Sequence, residues 1–262
     1  MPVYAYSTMM YLKLPPLKAV ERLTELGLHV ELSYDNFAIF GGRALEDKFM
    51  TEILNVSHNL HGYVEVIHTP YDEMEPQKLL TDSGFRRFTK WFNLANKLGV
   101  RVAVVHTLKV EEGYGNAFEL NIEFLSMLIK EAKDKGVKLA VENRPEKKLF
   151  GSKPKDLIRI VEHLGEDVGV CLDLGHAHIN RNLQEFFSIG KGVVVIHAHD
   201  NDGYRDLHKP PYSGTIKWSL VEAWVTRIKY SNLIVFEVLC KDSVQICDSI
   251  VEQVRSTPIA NI

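Results

Sequence analysis

Short apolar runs alternate with longer amphipathic segments along the whole chain. Eight runs rich in β-branched residues predict strands, and they read VYAYST, HVELSY, VEVIHT, VRVAVVHT, VKLAVENR, VGVCLDLGH, GVVVIHAHDN and NLIVFEV. The segments between them, such as LKAVERLTELG and FRRFTKWFNLANKLG, repeat apolar residues with the period of a helix and end at a glycine suited to a left-handed cap. The strands are apolar nearly throughout, which is typical of parallel strands covered on both faces.

This alternation predicts the fold class. Eight strand–helix units in 262 residues indicate an α/β protein, a (β/α)8 TIM barrel that forms a single domain over residues 1–262. An open, doubly wound sheet is the main alternative, but no glycine-rich phosphate turn follows the first strand. Hydrophobic residues make up 45% of the chain, enough for one large core.

Acidic and histidine side chains follow six consecutive strands of the predicted barrel, at the end where TIM barrels build their active sites. They are His68, His106, Glu142, Asp173 with His176, His197 and Glu237. Asp206 and His208 lie in the loop after the seventh strand and could reach the same mouth. Because side chains alternate faces along a strand, Glu142 shares its face with Ala140, and the other strand-end residues follow the same rule. We therefore expect these groups to converge on one mouth of the barrel.

So many acids and imidazoles in one cavity would repel one another or become neutral unless something compensated them. Divalent cations do so, and carboxylate and imidazole ligands suit Zn²⁺ and Mn²⁺. The sequence therefore predicts one to three divalent metal ions. A single polar residue at a strand end is more often structural, and Glu31 is interpreted as such an internally paired carboxylate. His178, His199 and Asp200 receive no role.

Charge and cysteine content constrain function only weakly. The net charge of −3 does not favour a nucleic acid or a membrane as partner. The chain has neither a signal-peptide pattern nor an apolar run of membrane-spanning length, so we expect a cytoplasmic protein without a membrane partner. Three cysteines predict neither a disulfide framework nor a metal-binding pair, and Cys171 is interpreted as a core residue. A homo-oligomer is compatible with all of these features.

The chain resembles the xylose isomerase-like barrel superfamily, which includes endonuclease IV (AP endonuclease family 2) and the ketose 3-epimerases. The resemblance covers the whole chain and is carried by VIHTPY, VVHT, AVENRP, CLDLGHAHI, VIHAHDNDGYRDLH with SGTIKW, and VFEV. It implies a three-zinc site in which His68 and His106 hold one metal and Glu142 bridges to the next. The second metal would also take Asp173, His197 and Glu237, and the third would take His176, Asp206 and His208.

Two activities compete for this site. The first is isomerisation or epimerisation of a small sugar or sugar phosphate, by proton transfer next to a metal-bound carbonyl. The resemblance implies that Glu142 and Glu237 act as the acid/base pair and that His176 binds a substrate oxygen. The second is zinc-dependent hydrolysis of a phosphodiester at an apurinic/apyrimidinic site, with DNA as the partner. A dehydratase or lyase is a third hypothesis, and a non-enzymatic metal-binding protein is a fourth.

Ligand number and loop composition favour different activities. An isomerase has no evident need for His68, His106, Asp206 and His208 together, which favours hydrolysis. The loops after the third and fourth strands are acidic and would repel a DNA backbone, with Asp72, Glu73, Glu75, Glu111, Glu112 and Glu119. Tyr71 matches a residue that endonuclease IV inserts into the duplex, but the next position is Asp72. These loops make the isomerase or epimerase our preferred hypothesis.

The loop after the fifth strand, RPEKKLFGSKPK, is basic and could hold one phosphate group. We predict Arg144 from this loop, together with Tyr71, as substrate-binding residues. Other aromatic residues that could pack on a sugar are Tyr114, Tyr212 and Trp218, although ordinary packing is the simpler interpretation of each.

Overall fold

Eight parallel strands form a closed barrel in a computed structural model of the chain, which describes residues 1–111, 113 and 115–262. Glu112 and Tyr114 lie outside the described residues. The strands are β1 (Val3–Ser7), β2 (His29–Ser33), β3 (Val64–His68), β4 (Val102–His106), β5 (Lys138–Glu142), β6 (Val168–Asp173), β7 (Val193–His197) and β8 (Leu233–Phe236). Each pairs with the next along the chain, and β8 pairs with β1. The predicted (β/α)8 TIM barrel is confirmed.

Helices surround the barrel and connect its strands. They are α1 (Pro16–Glu25), α2 (Tyr34–Ile39), α3 (Glu46–Asn55), α4 (Ser57–Leu60), α5 (Pro76–Leu79), α6 (Asp82–Leu98), α7 (Ala117–Lys133), α8 (Pro154–Leu164), α9 (Leu174–Ile179), α10 (Leu183–Phe186), α11 (Trp218–Arg227) and α12 (Val244–Arg255). Gly99 ends α6 in the left-handed conformation, with φ 75°, as its position after the periodic segment predicts. No helix among the described residues combines the length and the apolar character that crossing a membrane would require.

The apolar core has two layers that follow the alternation of side chains. A small cluster fills the barrel lumen, and it comprises Ala5, Val66, Val104, Ala140, Cys171, Val195, Leu233 and Val235. A larger layer lies between the strands and the helices. Because Ala140 lies in the lumen and side chains alternate, Glu142 two residues later also points inward, at the mouth.

The sixth strand is shorter than predicted. The run VGVCLDLGH was expected to carry His176 at its end, but β6 ends at Asp173 and His176 lies on α9. The carboxylate of Asp173 accepts a hydrogen bond from the backbone N–H of His176 at 2.6 Å and so caps this short helix. Asp173 and His176 therefore stay close, although they occupy different elements.

The prediction for the cysteines was incomplete. Cys240 and Cys247 form a disulfide that joins the segment after β8 to α12. A spacing of seven residues across a strand–helix loop gives no pairing signal, and only the fold brings the two residues together. Cys171 is free and buried in the lumen, as expected for a core residue.

Candidate metal centre

The polar side chains from the strand ends surround one cavity of about 260 Å³. It opens at the carboxyl ends of the strands, where TIM barrels bind their substrates. Seven of the nine predicted ligands line it, and they are His68, His106, Glu142, His176, Asp206, His208 and Glu237. The other two, Asp173 and His197, are completely buried beside them. The structure thus brings all nine predicted residues together.

The first donor group comprises Glu142, Asp173, His197 and Glu237. His197 Nδ1 lies 3.5 Å from Glu142 Oε1, 3.5 Å from Glu237 Oε2 and 3.9 Å from Asp173 Oδ2. This nitrogen is buried and makes no hydrogen bond. A buried, unpartnered imidazole nitrogen among three carboxylates is costly by itself and is an appropriate ligand for a divalent cation. The residues of this group therefore fit a metal ion.

In four of the imidazoles, one ring nitrogen, here called the outer nitrogen, makes a hydrogen bond that orients the ring. His197 Nε2 lies 3.0 Å from the carboxylate of Glu31, which pairs Glu31 internally as the sequence suggested. His68 Nδ1 donates to the carbonyl of Thr69 at 3.1 Å, His176 Nδ1 to that of Asn143 at 2.8 Å, and His208 Nδ1 to that of Glu237 at 2.9 Å. Metal-binding histidines usually donate their second ring N–H in this way, which fixes the tautomer. In all four rings the inner nitrogen lies near a carboxylate of the donor groups, and the outer Nδ1 of His176 and of His208 also lies 3.3 Å from Glu142 and 3.5 Å from Glu237, respectively.

The second donor group comprises His68, Glu142 and His197. His68 Nε2 lies 2.9 Å from Glu142 Oε2, and His106 Nε2 lies 3.2 Å from the same oxygen. His106 differs from the other imidazoles of the cluster because it belongs to none of the three donor groups found among the described residues. Its buried Nδ1 has no hydrogen-bond partner, as is also the case for His197 and His199. Its predicted ligand role therefore rests only on its contact with Glu142.

The third donor group comprises His176, His199, Asp206 and His208. Asp206 Oδ2 lies 3.1 Å from His176 Nε2 and 3.1 Å from His208 Nε2. The backbone of His208 is left-handed, with φ 44°, which is uncommon for a residue with a side chain. Its carbonyl accepts a hydrogen bond from the N–H of Leu239, which holds this conformation. Sequence reasoning assigned three of these residues and missed His199.

Burial and mutual charge shift the pKa values at this site. Burial is the largest influence on His68 and lowers its pKa, but the hydrogen bond and charge of Glu142, together with the charges of Glu31 and Glu237, outweigh burial and raise the pKa to about 9. Burial also opposes protonation of His208, yet the contact with Asp206 and the charge of Glu237 raise its pKa to about 10. Burial raises the pKa of Glu237 to about 8. The protein thus holds protons that balance the clustered carboxylates, a task that a bound cation would also perform.

The two predicted substrate-binding residues line the cavity. Arg144 is buried, its Nε donates to Thr107 Oγ1 at 2.9 Å, and its Nη1 lies 3.6 Å from Glu146. The hydroxyl of Tyr71 donates to Asp35 Oδ1 at 2.7 Å, and its ring lies 5.7 Å from that of His68. Both side chains are therefore held by the protein at the edge of the donor cluster.

The acidic loop after β3 has less free charge than its sequence suggests. Its three carboxylates have basic partners, with Asp72–Arg87 at 2.7 Å, Glu73–Arg43 at 2.6 Å and Glu75–Lys78 at 3.4 Å. These ion pairs balance part of the negative charge of the loop, and its repulsion of a DNA backbone stays a prediction.

Asn143 is a site residue that the sequence analysis missed. Its side chain accepts a hydrogen bond from the N–H of Asp173 at 2.7 Å and donates to the carbonyl of Asp173 at 3.0 Å. Its own carbonyl orients His176. A polar residue directly after Glu142 in AVENRP was the only available signal. Asp35 and Lys109 also line the cavity and were not predicted.

Asp200, which the sequence left without a role, is structural. Its buried carboxylate accepts hydrogen bonds from Asn201 N at 2.8 Å, Ile216 N at 3.1 Å and Trp218 Nε1 at 2.7 Å. Asp200→Ala leaves these donors unpaired, and we expect it to lower the free energy of unfolding by about 3 kcal/mol. Urea unfolding measures this loss, with the exposed Asp242→Ala as control. An equal effect in both variants would contradict the assignment.

Comparisons with known proteins give the family. The model of the xylose isomerase-like TIM barrel family (AP endonuclease 2) matches residues 30–256. The chain belongs to this family. An uncharacterized relative from Methanocaldococcus jannaschii is 30% identical over 187 residues, which span 66% of this chain and 63% of that protein.

Two solved structures share the whole barrel with this chain. A D-tagatose 3-epimerase-like protein is 25% identical, with a TM-score of 0.75, over 97% of this chain and 98% of the other. The IolI protein, solved with a zinc atom, is 17% identical, with a TM-score of 0.76, over 98% and 97% of the two chains. The second likeness concerns the fold alone. A 3-keto-D-glucoside 4-epimerase from E. coli also shares the fold, at 13% identity and a TM-score of 0.71, over 98% and 100% of the two chains.

Proposed function

We propose that this protein is a divalent-metal-dependent isomerase or epimerase of a small sugar or sugar phosphate. The observation that carries the proposal is the first donor group, in which the unpartnered Nδ1 of His197 faces three carboxylates at the base of the cavity. Open sites of this kind at the carboxyl end of a TIM barrel serve catalysis. The epimerase-like relative with the same barrel supports this reaction class.

Two carboxylates in this group can move protons. A bound divalent cation would polarise a substrate carbonyl and make the neighbouring C–H more acidic. Either Glu142 or Glu237 would take that proton, and the other would return one to the opposite face of the carbon, which inverts the stereocentre. Burial raises the pKa of Glu237 to about 8, so this residue holds a proton near neutral pH in the metal-free protein. His176, which lines the cavity and whose Nε2 lies 3.1 Å from Asp206 Oδ2, would bind a substrate oxygen.

Substrate binding would involve the rim of the cavity. Arg144 and Tyr71 line this rim, and we propose both as substrate-binding residues. Lys109 lines the same cavity and adds a second positive charge. One guanidinium and one ammonium suit a single phosphate group on a sugar.

Zinc-dependent hydrolysis of DNA at an apurinic/apyrimidinic site is the second candidate. The observation in its favour is that all nine residues implied by the endonuclease resemblance meet around one cavity. The contacts of two side chains argue against it. Asp72 is bound to Arg87 and to the hydroxyl of Tyr34 at 2.8 Å, and the hydroxyl of Tyr71 is bound to Asp35. Neither side chain is therefore free to enter a duplex.

Metal content and substrate assays together test the proposal. We expect the undialysed protein to hold close to one manganese, cobalt, magnesium or zinc ion per chain, since the first donor group alone suffices for this chemistry. A panel of ketoses and their phosphates, followed by NMR, should show exchange of the proton next to the carbonyl, while abasic DNA stays intact. About three zinc ions per chain with nicking of abasic DNA would overturn the proposal in favour of the endonuclease.

A further inference from the structure

His199 is a completely buried imidazole in the donor cluster, and neither the family resemblance nor the proposed reaction uses it. It lies two residues after His197, in the loop that follows β7. Its Nε2 contacts both carboxylate oxygens of Asp173, at 3.1 and 3.0 Å. Its ring stacks on that of His208, with centroids 4.0 Å apart.

Two roles fit this position. His199 could be a fourth ligand next to His176, Asp206 and His208 through Nε2, the nitrogen that makes its carboxylate contacts and lies 3.8 Å from Asp206 Oδ1. Alternatively, it could donate a hydrogen bond to Asp173 and so orient a ligand of the first donor group. The two roles need different states of Nε2, since a ligating nitrogen offers a lone pair whereas a donating nitrogen carries a hydrogen.

The other ring nitrogen distinguishes these roles. Ligation through Nε2 would place the hydrogen on Nδ1, and Nδ1 of His199 is buried without a hydrogen-bond partner. The four imidazoles oriented by Thr69, Asn143, Glu237 and Glu31 differ, because each donates its outer N–H to an oxygen. A buried N–H without an acceptor is costly. The tautomer with the hydrogen on Nε2, donated to Asp173, avoids that cost. Nδ1 then keeps a lone pair, but the carboxylate contacts of His199 are made by Nε2, whereas Nδ1 of His197 faces three carboxylates.

The local backbone makes room for this contact. Gly175 is the second residue of α9, and a Cβ atom there would lie 2.0 Å from Cε1 of His199. Such a distance is impossible for a side chain, so the glycine in DLGH permits the approach of the ring. Asp173 Oδ1 is also held by the N–H of His176, and Oδ2 faces His197 Nδ1. His199 thus completes the set of bonds that fixes the plane of the carboxylate.

We propose that His199 is a positioning residue that orients Asp173 within the first donor group and is not a ligand of the third. The inference rests on the proposed function, since it takes Asp173 as a metal ligand. Hydrogen-bond partners of this kind are typically worth 10- to 100-fold in metal affinity. The third group then offers three protein ligands, His176, Asp206 and His208, a number typical of open metal sites.

Metal titration of matched variants tests this inference without a substrate. Metal-free wild-type protein, His199→Gln, His199→Leu and His178→Leu are titrated with Mn²⁺ and with Zn²⁺ by calorimetry, and circular dichroism checks that each is folded. Glutamine can place an N–H donor near the position of Nε2, and leucine cannot. His178 is the control, because it lies on α9 but bonds Thr215 outside the cavity.

We expect His199→Leu to weaken metal binding by about 10- to 100-fold, while His199→Gln stays within about threefold of wild type with an unchanged number of ions. Gly175→Ala should weaken binding as His199→Leu does, because its methyl group displaces the ring. It serves as a second variant if His199→Leu does not fold.

Three results would overturn the inference. Loss of one bound ion per chain in His199→Gln would make His199 a ligand. Wild-type affinity in His199→Leu or Gly175→Ala would show that Asp173 needs no such support, and the proposed function would stand. A wild-type protein that binds neither metal would overturn the proposed function as well.

Discussion

Glu142→Gln should lower turnover by about 10³-fold or more, because this carboxylate contacts more of the site than any other acid that we assign to it. Its Oε2 lies 2.9 Å from His68 Nε2 and 3.2 Å from His106 Nε2. Its Oε1 lies 3.3 Å from His176 Nδ1 and 3.5 Å from His197 Nδ1. Glutamine keeps the size of the side chain but removes its charge, one metal ligand and one proton carrier. Steady-state kinetics at saturating metal, together with metal content per chain, measure the effect.

The matched control is Glu65→Gln. Glu65 also pairs with a histidine, with His29 Nδ1 at 3.0 Å, but both residues are partly exposed and lie near the amino ends of β2 and β3. We expect wild-type turnover and metal content in this variant. If Glu142→Gln matched Glu65→Gln in both quantities, the catalytic centre would lie elsewhere.

The barrel was predictable because its two periods are local properties of the chain. Alternation within strands put Ala140 in the lumen and Glu142 at its mouth, and both positions are confirmed. The same rule places the other strand-end acids and histidines around one cavity, because eight parallel strands expose their carboxyl ends on one side. Residue type and strand position therefore indicated the donor cluster before any distance was known.

The contacts that complete the site were not predictable, because they join residues far apart in the chain. Glu31 orients His197 across 166 positions, and Arg87 neutralises Asp72 from a helix that no charge pattern links to the loop. His176 was placed on a strand because α9 has six residues, too few to display a helical period. The hydrogen bond by which Asp173 caps α9 was not predictable either, because this side chain was expected to be a metal ligand.

Removal of the metal should abolish turnover and lower the thermal stability of the protein. The carboxylates of Glu142, Asp173 and Glu237 are buried around His197 Nδ1, and a cation bound there stabilises only the folded state. A ligand present at a thousand times its Kd contributes about 4 kcal/mol, which corresponds to a shift in Tm of about 10 °C for a domain of this size. Calorimetry before and after chelation measures the shift. The Tm of Glu142→Gln should respond much less, and an unchanged Tm in the wild type would argue against a metal at this site.

The affinity for the metal should also fall as the pH falls. Ligands bind metals only in the deprotonated form, and burial raises the pKa of Glu237, a member of the first donor group, to about 8. Next to this group, the hydrogen bond and charge of Glu142, with the charges of Glu31 and Glu237, raise the pKa of His68 to about 9 against the effect of burial. Below that pH, the metal-free protein holds a proton that the ion must displace, so affinity is highest above pH 9 and decreases from there to pH 6. Each displaced proton makes the apparent Kd about tenfold weaker per pH unit. Calorimetric titrations in two buffers of different ionisation enthalpy count the protons released. Binding without proton release at pH 7 would show that the imidazoles are already neutral, and that hydrogen bonds alone balance the carboxylates.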